Sequence, residues 1–413
     1  MSEIRVTSVL GENGSDPVGL STGFTVGPTS GTTATITHEG QASFTGIVTA
    51  TSFVPTTGQL SHRNLIINGD MQVAQRGSAS STTNGLATVD RFKKIGAGLG
   101  NTFSQEQITL SSSDTPYSSG FRKAFRVSQN QAGTANAAGA IDFSHYIEAQ
   151  NLTCSGWNYT SASSKITLQF WFRASTNQTF YGVLYTPDGT VQTYPFSFTA
   201  SGNNAWTKIT HTIPGNSNIT INNDNGTGLI LYLIPFYGTN YTDNSKSVNA
   251  WSTHSTYFCP DMASTWLTAG ASTFDVTGVQ LEVGPVATPF EHRSFADEFR
   301  RCQRYYQQYT NIMSVGYVPD NTSKSYSHGF HFPVEMRAAP TLTITNTGSN
   351  GGQNINDGQT NSSVSSLNSQ GSQTSQIEYY FNITTDLSNF RGAYATQPNS
   401  TTYATIYRIS AEL

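Results

Sequence analysis

Three glutamates, Glu148, Glu282 and Glu291, are the residues of this sequence best suited to hydrolytic catalysis. Enzymes that cleave glycosidic bonds use two carboxyl groups about 5 to 9.5 Å apart, one of which acts as the acid. The separation of these three side chains depends on the fold, and acidic residues are few in the chain. We therefore expect no catalytic pair and keep a capsular polysaccharide depolymerase as the alternative function.

Two further motifs have catalytic spacing but the wrong surroundings. Residues 19–23, GLSTG, match the Gly-x-Ser-x-Gly nucleophile motif, which requires a strand before it and a helix after it. The stretch that follows, FTVGPTSG, cannot form that helix. His328 and His331 are three residues apart in a predicted strand, so their side chains point to opposite faces. The sequence thus predicts a protein that is not an enzyme.

Aromatic residues suit a binding role better than the acids suit catalysis. Sugar-binding proteins stack sugar rings on exposed aromatic side chains, and this chain has 5 tryptophans, all between residues 157 and 266. Most of them are expected in the core. Trp171 is different, because it is out of phase with the inward-facing Phe170 and Phe172. Tyr159, Tyr181 and Tyr185 are expected on the same outer face. The candidate glycan-binding residues are Trp171, Trp157, Tyr159, Tyr181 and Tyr185.

Composition excludes several classes of function. Only 11% of the residues are charged, against about 25% in typical globular proteins, and the net charge is −4. Nucleic-acid binding needs a basic excess, which is missing. No apolar run approaches the ~20 residues of a membrane span, and the first residues lack the apolar segment of a secretory signal. Free thiols are favoured for the 3 cysteines, with a Cys154–Cys259 bridge left open.

Strand patterns dominate the chain and predict an all-β fold. KITLQFWFRAS alternates with period two, and GLILYLIPFYG is apolar on both faces, as in a central covered strand. FDVTGVQLEVG breaks phase at Thr277-Gly278, which predicts a bulge. A first apolar strand is expected at residues 65–67. Many strands separated by Gly, Asn and Pro turns predict a jelly-roll β-sandwich.

Four segments follow from these patterns. Residues 1–61 form a Gly/Thr-rich leader too poor in apolar residues to fold alone, so we expect it to attach to a virion or to intertwine with sister chains. A disordered linker is the alternative for this leader. Residues 62–293 are the jelly roll, 294–309 a connecting helix, and 310–413 a small C-terminal β-sandwich. Within the last segment, residues 349–376 are almost free of apolar residues and are predicted to be a long exposed loop.

The connecting helix has a clear start signal and one apolar face. Ser294 is its predicted N-cap, with an acidic residue three positions later. Four residues recur at i, i+4, i+7 and i+11, the spacing of one helical face. This face packs on the sandwich of its own chain or lines a subunit interface. The candidate interface residues are Phe295, Phe299, Cys302 and Tyr306.

Several ordered motifs resemble one protein family. RNLIINGDMQVAQRG, TVDRF, EAQNL and VQLEVGPVATPFEHRSFADEFRRCQRYYQ are similar to bacteriophage tail-fibre and virion structural proteins of marine and cyanobacterial phages. This resemblance covers residues 60 to 310. FPVEMRAAPTLTIT and the terminal ISAEL resemble the C-terminal region of such fibres. ATITHEGQASFTGIVTATSFVP is similar to leader repeats in trimeric fibres.

The resemblance implies a carbohydrate-binding jelly roll related to galactose-binding domains. In those modules an NGD turn, here ending in Asp70, opens the domain, and a last-strand segment like that around Asp275 often helps to hold a structural calcium ion. This sequence departs from the pattern, because Met71-Gln72 replace the acidic residue that usually follows the turn. We expect no other cofactor, and the calcium site stays open.

Together these observations predict a non-enzymatic tail-fibre protein that recognises a host-surface glycan. We expect a homotrimer whose N-terminus contacts other tail proteins and whose C-terminal β domain is the receptor-binding tip. It would reside in the virion, after assembly in the host cytoplasm and release by lysis. A purely architectural virion component is the third alternative.

Overall fold

The chain forms two compact units, Met1–Thr56 and Thr57–Leu413. The computed structural model describes the backbone of residues 24–26, 34–36, 42–44, 62–201, 204–310, 315–317, 324–347, 354–356, 361–383, 392–396 and 404–413. Side chains are described at 62–201, 204–310, 331–343, 371–378, 382 and 406–413. The first unit contains an antiparallel sheet of β1 (Phe24–Val26), β2 (Ala34–Ile36) and β3 (Ala42–Phe44). The role of residues 1–61 as a leader stays a prediction.

The second unit begins with a β-sandwich of two antiparallel sheets. Its elements are β4 (Phe92–Ala97), β5 (Phe103–Thr109), α1 (Thr115–Ser118), β6 (Lys123–Gln129), β7 (Ala140–Glu148), α2 (Ala149–Thr153), β8 (Lys165–Ala174), β9 (Thr179–Thr186), β10 (Gln192–Thr199), β11 (Thr207–Pro214), β12 (Thr227–Tyr237), β13 (Ser252–Thr253), α3 (Thr265–Thr268) and β14 (Ser272–Val283). One sheet has six strands in the order β13-β10-β9-β12-β7-β4, and the other has five in the order β11-β8-β14-β6-β5. The predicted all-β jelly-roll class is confirmed.

Aromatic side chains from both sheets fill the space between them. On β8 the ring of Phe172 lies 5.5 Å from that of Phe180 on the opposite sheet and 4.7 Å from that of Phe274 on its own sheet. Phe143 of the six-stranded sheet also packs against Phe274, at 5.5 Å. These rings are fully buried, and burial of a large aromatic side chain stabilises a fold by roughly 1.5 to 3 kcal/mol.

Two strand-level predictions are confirmed. Strand β12 lies inside the six-stranded sheet between β9 and β7, and both of its faces are largely buried. Strand β14 changes register against β8 between Thr277 and Gln280, which is the expected bulge. Gly278 within this bulge has φ +64°, and a Cβ there would lie 2.6 Å from the Phe121 ring. Glycine is therefore required at this position by both conformation and space.

The predicted strand at residues 65–67 is wrong, although the segment is largely buried. The first of these three amides donates to the carbonyl of Leu281 (2.9 Å), the second to Oδ1 of Asn64 (3.0 Å) and the third to Nε2 of His145 (3.4 Å). Mixed backbone and side-chain acceptors replace a strand ladder, so the segment is irregular. Period-two apolar patterns cannot reveal acceptors that come from distant positions.

The NGD turn is locked by the first of its residues. Asn68 has φ +61°, and its Nδ2 donates to the carbonyls of Val73 and Asp90, both at 2.9 Å. Its Oδ1 accepts from the Val73 amide at 2.9 Å. At Gly69 a Cβ would lie 2.1 Å from the carbonyl oxygen of Val279, so only glycine fits. The turn thus fastens the start of the domain to its last strand.

The connecting helix exists but is shorter than predicted. Helix α4 (Phe295–Gln303) begins with Ser294, whose Oγ accepts from the Asp297 amide at 3.2 Å, as the sequence indicated. The expected helical span of 294–309 is wrong at its C-terminal end. Residues 306–310 are instead extended, because they pair with residues 406–410 near the C-terminus.

Strands dominate the described segments of the C-terminal part, with an irregular stretch at 332–340. Its strands are β15 (Tyr306–Thr310), β16 (Val315–Tyr317), β17 (Lys324–His331), β18 (Thr341–Thr347), β19 (Asn354–Asn356), β20 (Asn361–Ser372), β21 (Gln376–Ile383), β22 (Gly392–Thr396) and β23 (Ala404–Ser410). One sheet has the order β15-β23-β18, and β16-β17-β21-β20-β19-β22 close into a barrel. The predicted loop at 349–376 is wrong, because β20 pairs with β21 and backbone pairing does not require apolar side chains.

A buried polar joint connects the C-terminus to the sandwich. We define the joint as Arg76, Arg91, Tyr305 and Glu412 with their partners. The Glu412 carboxylate accepts from Arg76 Nη2 at 2.9 Å and from Arg91 Nη1. Arg91 is only 2% exposed and stacks 3.5 Å from the centre of the Tyr305 ring. The last residues of the chain are thereby fixed against the sandwich.

In the described part of the chain, no helix has both the length and the apolar character needed to cross a membrane.

Candidate functional site

A cleft on the outer face of the five-stranded sheet contains Trp171. Alternation along β8 buries Phe170 and Phe172 in the core and turns Trp171 outward, where it is half-buried. Lys208 on β11 is its direct cross-strand partner. The cleft has a volume of about 540 Å³, within the usual range of small-molecule sites. Its lining consists of Ser119, Phe121, Gln169, Trp171, Lys208, Gly278, Ala287, Thr288, Pro289, Phe290 and His292.

One wall of the cleft is a loop held in place by hydrogen bonds from beneath. Glu282 accepts from the amide of Thr288 at 2.8 Å and from its hydroxyl at 2.6 Å. Gln169 donates its Nε2 to the Thr288 carbonyl at 2.6 Å. Further along, the Glu291 amide donates to Gln280 Oε1 at 2.7 Å. These four anchors fix the wall, so the cleft is largely pre-formed.

Aromatic rings make the apolar side of the cleft. Phe290 packs edge-on against Phe121 with ring centres 4.8 Å apart, and His292 lies 4.9 Å from Phe290. His292 Nε2 is 2.9 Å from the Ser119 carbonyl oxygen, which orients the imidazole. Together with Trp171 these rings provide apolar surface beside amide, hydroxyl and ammonium groups. Such a mixture fits the apolar faces and polar edges of a sugar ring.

The structure buries Trp157 in the core, so its ring is not exposed for sugar stacking as the sequence predicted. Its ring is 3% exposed and belongs to the main core, and its Nε1 donates to the Ser164 carbonyl at 3.4 Å. Tyr159 packs against Trp157 with ring centres 6.1 Å apart, and its hydroxyl is 3.5 Å from the Ile221 carbonyl. Neither residue lines the Trp171 cleft.

Tyr181 and Tyr185 lie on the other sheet, so the expectation that they share a face with Trp171 is also wrong. Both belong to β9 of the six-stranded sheet. Tyr185 packs against Tyr232 at 6.2 Å and Phe258 at 6.0 Å. The six-stranded sheet therefore has a separate half-buried aromatic outer face, which we call the tyrosine face after Tyr181, Tyr185 and Tyr232.

The calcium hypothesis does not fit Asp275. Its Oδ1 accepts from Arg126 Nε at 2.7 Å, and its Oδ2 accepts from Arg126 Nη2 at 2.8 Å and Arg173 Nε at 2.7 Å. Two guanidinium groups at these oxygens take the place of a cation and would repel one. At Asp70, burial and the nearby Glu298 raise the carboxyl pKa to about 6. Among the described residues, no group of three His, Cys, Asp or Glu could hold a metal ion.

The proposed interface face of the helix is mostly buried within its own chain. Cys302 is fully buried, and Tyr306 lies in β15 rather than in the helix, at 2% exposure. Both are therefore excluded from a subunit interface. Phe299 is partly buried against Cys302 and its neighbours. Phe295 alone projects, with 60% of its surface exposed, and stacks 5.8 Å from Phe299.

The three cysteines are free thiols. Cys154 is exposed, whereas Cys259 and Cys302 are buried. The Cys154–Cys259 bridge that the sequence left open is not formed. Burial raises the pKa of both buried thiols, so they are unreactive at neutral pH.

The three candidate catalytic glutamates have structural partners. Glu148 accepts from Arg304 Nε at 2.8 Å, and Glu291 accepts from the Asn64 amide at 3.0 Å. Burial raises the pKa of both carboxyl groups, but hydrogen bonds, with arginine among the donors, outweigh burial and lower each pKa overall. Glu282 holds the cleft wall as described above. A general acid in glycoside hydrolysis needs a raised pKa, which is the opposite behaviour.

Sequence reasoning found Trp171 but missed the rest of the cleft. Gln169 was within reach of the same argument, because it lies two residues before Trp171 on the same face of β8. Lys208 required the pairing of β11 with β8, and Phe290 required the path of the loop after β14. No local pattern encodes either placement.

Comparisons with known proteins reveal only distant similarity. No family model matches the chain, and no curated protein matches its sequence. Among solved structures, the enzymatically active domain of tailspike protein 4 of bacteriophage CBA120 is similar over 54% of this chain and 21% of its own length, with 9% identity and a TM-score of 0.29. TmCBM61 in complex with β-1,4-galactotriose matches 54% of this chain and 99% of its own, with 10% identity and a TM-score of 0.27.

A family 11 carbohydrate-binding module from Clostridium thermocellum, in complex with a β-1,3-1,4-mixed-linked tetrasaccharide, is similar over 51% of this chain and 99% of its own. Its identity is 9% and its TM-score 0.24. The tailspike match spans about a fifth of that protein. Similarities at these TM-scores support no functional argument, so the function proposed for this chain rests on its own contacts.

Proposed function

We propose that the protein is a non-enzymatic glycan-binding protein and that the Trp171 cleft is its binding site. The observation that carries this proposal is the half-buried indole of Trp171 in a pre-formed cleft of about 540 Å³. A sugar ring would stack its C–H face on the indole. Thr288 and Lys208 would then be the polar groups nearest to the hydroxyls at the ring edge, while Gln169 holds the Thr288 carbonyl from beneath.

The biological setting that we propose is the tail fibre of a phage. Two sequence observations support it, namely the ordered motifs shared with that family at residues 60–310 and the Gly/Thr-rich leader. A homotrimer attached to other tail proteins through the leader would present several clefts to one host surface. Weak single contacts then combine, because linked sites raise the effective concentration of the second binding event.

The depolymerase alternative has less support from the side chains. Glu148, Glu282 and Glu291 are each engaged by donors that hold loops or strands in place. Glu282 contacts a residue of the cleft wall, but its carboxylate is turned to Thr288 beneath that wall. We therefore propose binding without cleavage.

A glycan array that contains bacterial surface polysaccharides tests the proposal with the full chain. We expect the wild-type protein to bind one or more glycans. The Trp171→Ala variant should lose at least tenfold in affinity, because stacking and apolar burial of a sugar ring on one aromatic side chain contribute about 1.5 kcal/mol or more. Tyr185→Ala is the matched control, since it removes a half-buried aromatic from the tyrosine face. Unchanged melting temperatures show that both variants are folded.

Two results would contradict the proposal. Loss of binding in Tyr185→Ala with retention in Trp171→Ala would place the site on the tyrosine face. New reducing ends during incubation with a bound polysaccharide, abolished by Glu282→Gln, would show an enzyme. Light scattering tests the assembly separately, and a monomeric full chain would contradict the trimer.

A further inference from the structure

Lys208 gives the Trp171 cleft a positive charge that no described residue compensates. Its side chain is exposed, and it is the direct cross-strand partner of Trp171. Directly paired residues have Cβ atoms about 4.5 to 5.5 Å apart, so both side chains reach the same ligand. None of the residues that line the cleft is acidic.

Acidic groups close to the cleft are engaged by partners other than Lys208. Asp114 accepts from Arg173 Nη1 at 2.7 Å and from Trp206 Nε1 at 2.9 Å. Asp275 lies between two arginines, and Glu282 accepts from Thr288. Among the described residues, Lys208 has no carboxylate within ion-pair distance. The cation of the cleft is therefore available to a ligand.

From this arrangement we infer that the Trp171 cleft selects glycans that carry a carboxylate, such as uronic acid polymers, through Lys208. The inference rests on the proposed function, because it names the class of sugar for the same site. With a pyranose ring against the indole, a carboxylate at the ring edge can accept from the Lys208 ammonium. Charge-assisted hydrogen bonds of this kind are stronger than those between neutral groups.

We expect Lys208 to contribute more to the selectivity of the cleft than to its affinity. Lys208 is solvent-exposed, and ion pairs in such positions are modest and screened by salt. We therefore expect roughly a fivefold preference for the acidic ligand at low ionic strength. This preference should fall towards onefold in 0.5 M NaCl, whereas stacking on Trp171 should persist.

Pairs of ligands that differ only in the carboxyl group measure the contribution of the carboxylate to binding. Polygalacturonate, alginate and hyaluronan are each compared with their carboxyl-reduced derivatives, in which the acid has become a neutral hydroxymethyl group. The full chain is used as wild type, Lys208→Gln, Lys208→Glu and Lys165→Gln. Lys165 is the control, because it is an exposed lysine on the same strand as Trp171 but outside the cleft. Affinities are measured by calorimetry, and melting temperatures verify folding.

We expect wild type and Lys165→Gln to prefer the acidic member of a pair, Lys208→Gln to bind both members equally, and Lys208→Glu to prefer the reduced member. Equal wild-type affinities for both members would overturn the inference and leave the glycan-binding proposal intact. If Trp171→Ala binds these ligands and every array glycan as tightly as wild type does, the proposed function itself would be overturned. A preference that persists in Lys208→Gln would assign the selectivity to another residue and contradict the inference.

Discussion

The buried carboxyl group of Asp142 makes a specific prediction about pH and stability. Asp142 lies on β7 and is 6% exposed. Its Oδ2 accepts from the Tyr237 hydroxyl at 2.9 Å, whereas its Oδ1 has no partner among the described residues. Burial is the main cause that raises its pKa from 3.8 to about 7, against the weaker lowering influences of Tyr237 and Lys93.

The sign of the effect follows from proton binding. Between pH 4 and pH 7 the folded protein holds a proton on Asp142 that the unfolded chain releases, so stability falls as pH rises. The contribution is complete below the unfolded pKa and is lost as pH passes through the folded pKa. Each unit of pKa shift corresponds to about 1.4 kcal/mol, which gives an upper bound of about 3 kcal/mol between pH 5 and pH 8.

Asp142→Asn removes this ionisation while nearly preserving the shape of the side chain. We expect the free energy of unfolding of the variant, relative to wild type, to rise by about 2 to 3 kcal/mol from pH 5 to pH 8. Urea unfolding of both proteins at both pH values measures it. The comparison between the two proteins is essential, because the pKa values of Asp70 and Asp90 are also raised, to about 6. These two residues therefore also lower the free energy of unfolding as pH rises, in both proteins. A difference between the two proteins that does not change with pH would refute the reasoning.

Three other substitutions test the positions of single side chains. Asp275→Asn leaves Arg126 and Arg173 without their shared counter-ion, so we expect the free energy of unfolding in urea to fall by about 3 kcal/mol. Calcium or EDTA should leave the melting temperature of the wild-type protein unchanged. A calcium-dependent shift would contradict the arginine pairing. Asn68→Ala removes three 2.9 Å hydrogen bonds and places alanine at positive φ, so we expect a loss of about 3 kcal/mol, and a loss below about 1 kcal/mol would disagree. Phe295→Ser should change the monomer's stability by less than about 0.5 kcal/mol because the ring is 60% exposed, and a larger loss would show that it is covered in solution.

Local signals in the sequence predicted those elements whose cause is local. The alternation in β8, the two-sided apolar run of β12 and the N-cap at Ser294 depend on residues within one segment, and all three were predicted correctly. The bulge at Gly278 was visible for the same reason, because a phase break and a glycine are adjacent in the sequence.

Elements with distant causes were missed. The segment at 65–67 is irregular because its acceptors include Asn64, His145 and Leu281, two of them far away in the chain. Strand β20 is polar, and its existence depends on the neighbours that complete the barrel. Composition does not reveal which of Trp157 and Trp171 is buried, because Trp157 is buried by contacts from other elements.

The motifs that carry the family resemblance are mainly structural. Asp90 and Arg91 of TVDRF, Glu148 of EAQNL and Glu412 of ISAEL take part in the joint and its surroundings. Trp171 lies in none of these motifs. These motifs therefore stabilise the scaffold of this chain, and the specificity of the cleft has to be read from its own side chains.

A crystal structure of the full chain with an oligosaccharide of the glycan that binds best on the array would locate the binding site. We expect a sugar ring stacked on the Trp171 indole between Lys208 and the wall that carries Phe290. Sugar density on the tyrosine face around Tyr185 and Tyr232, with the Trp171 cleft unoccupied, would contradict it.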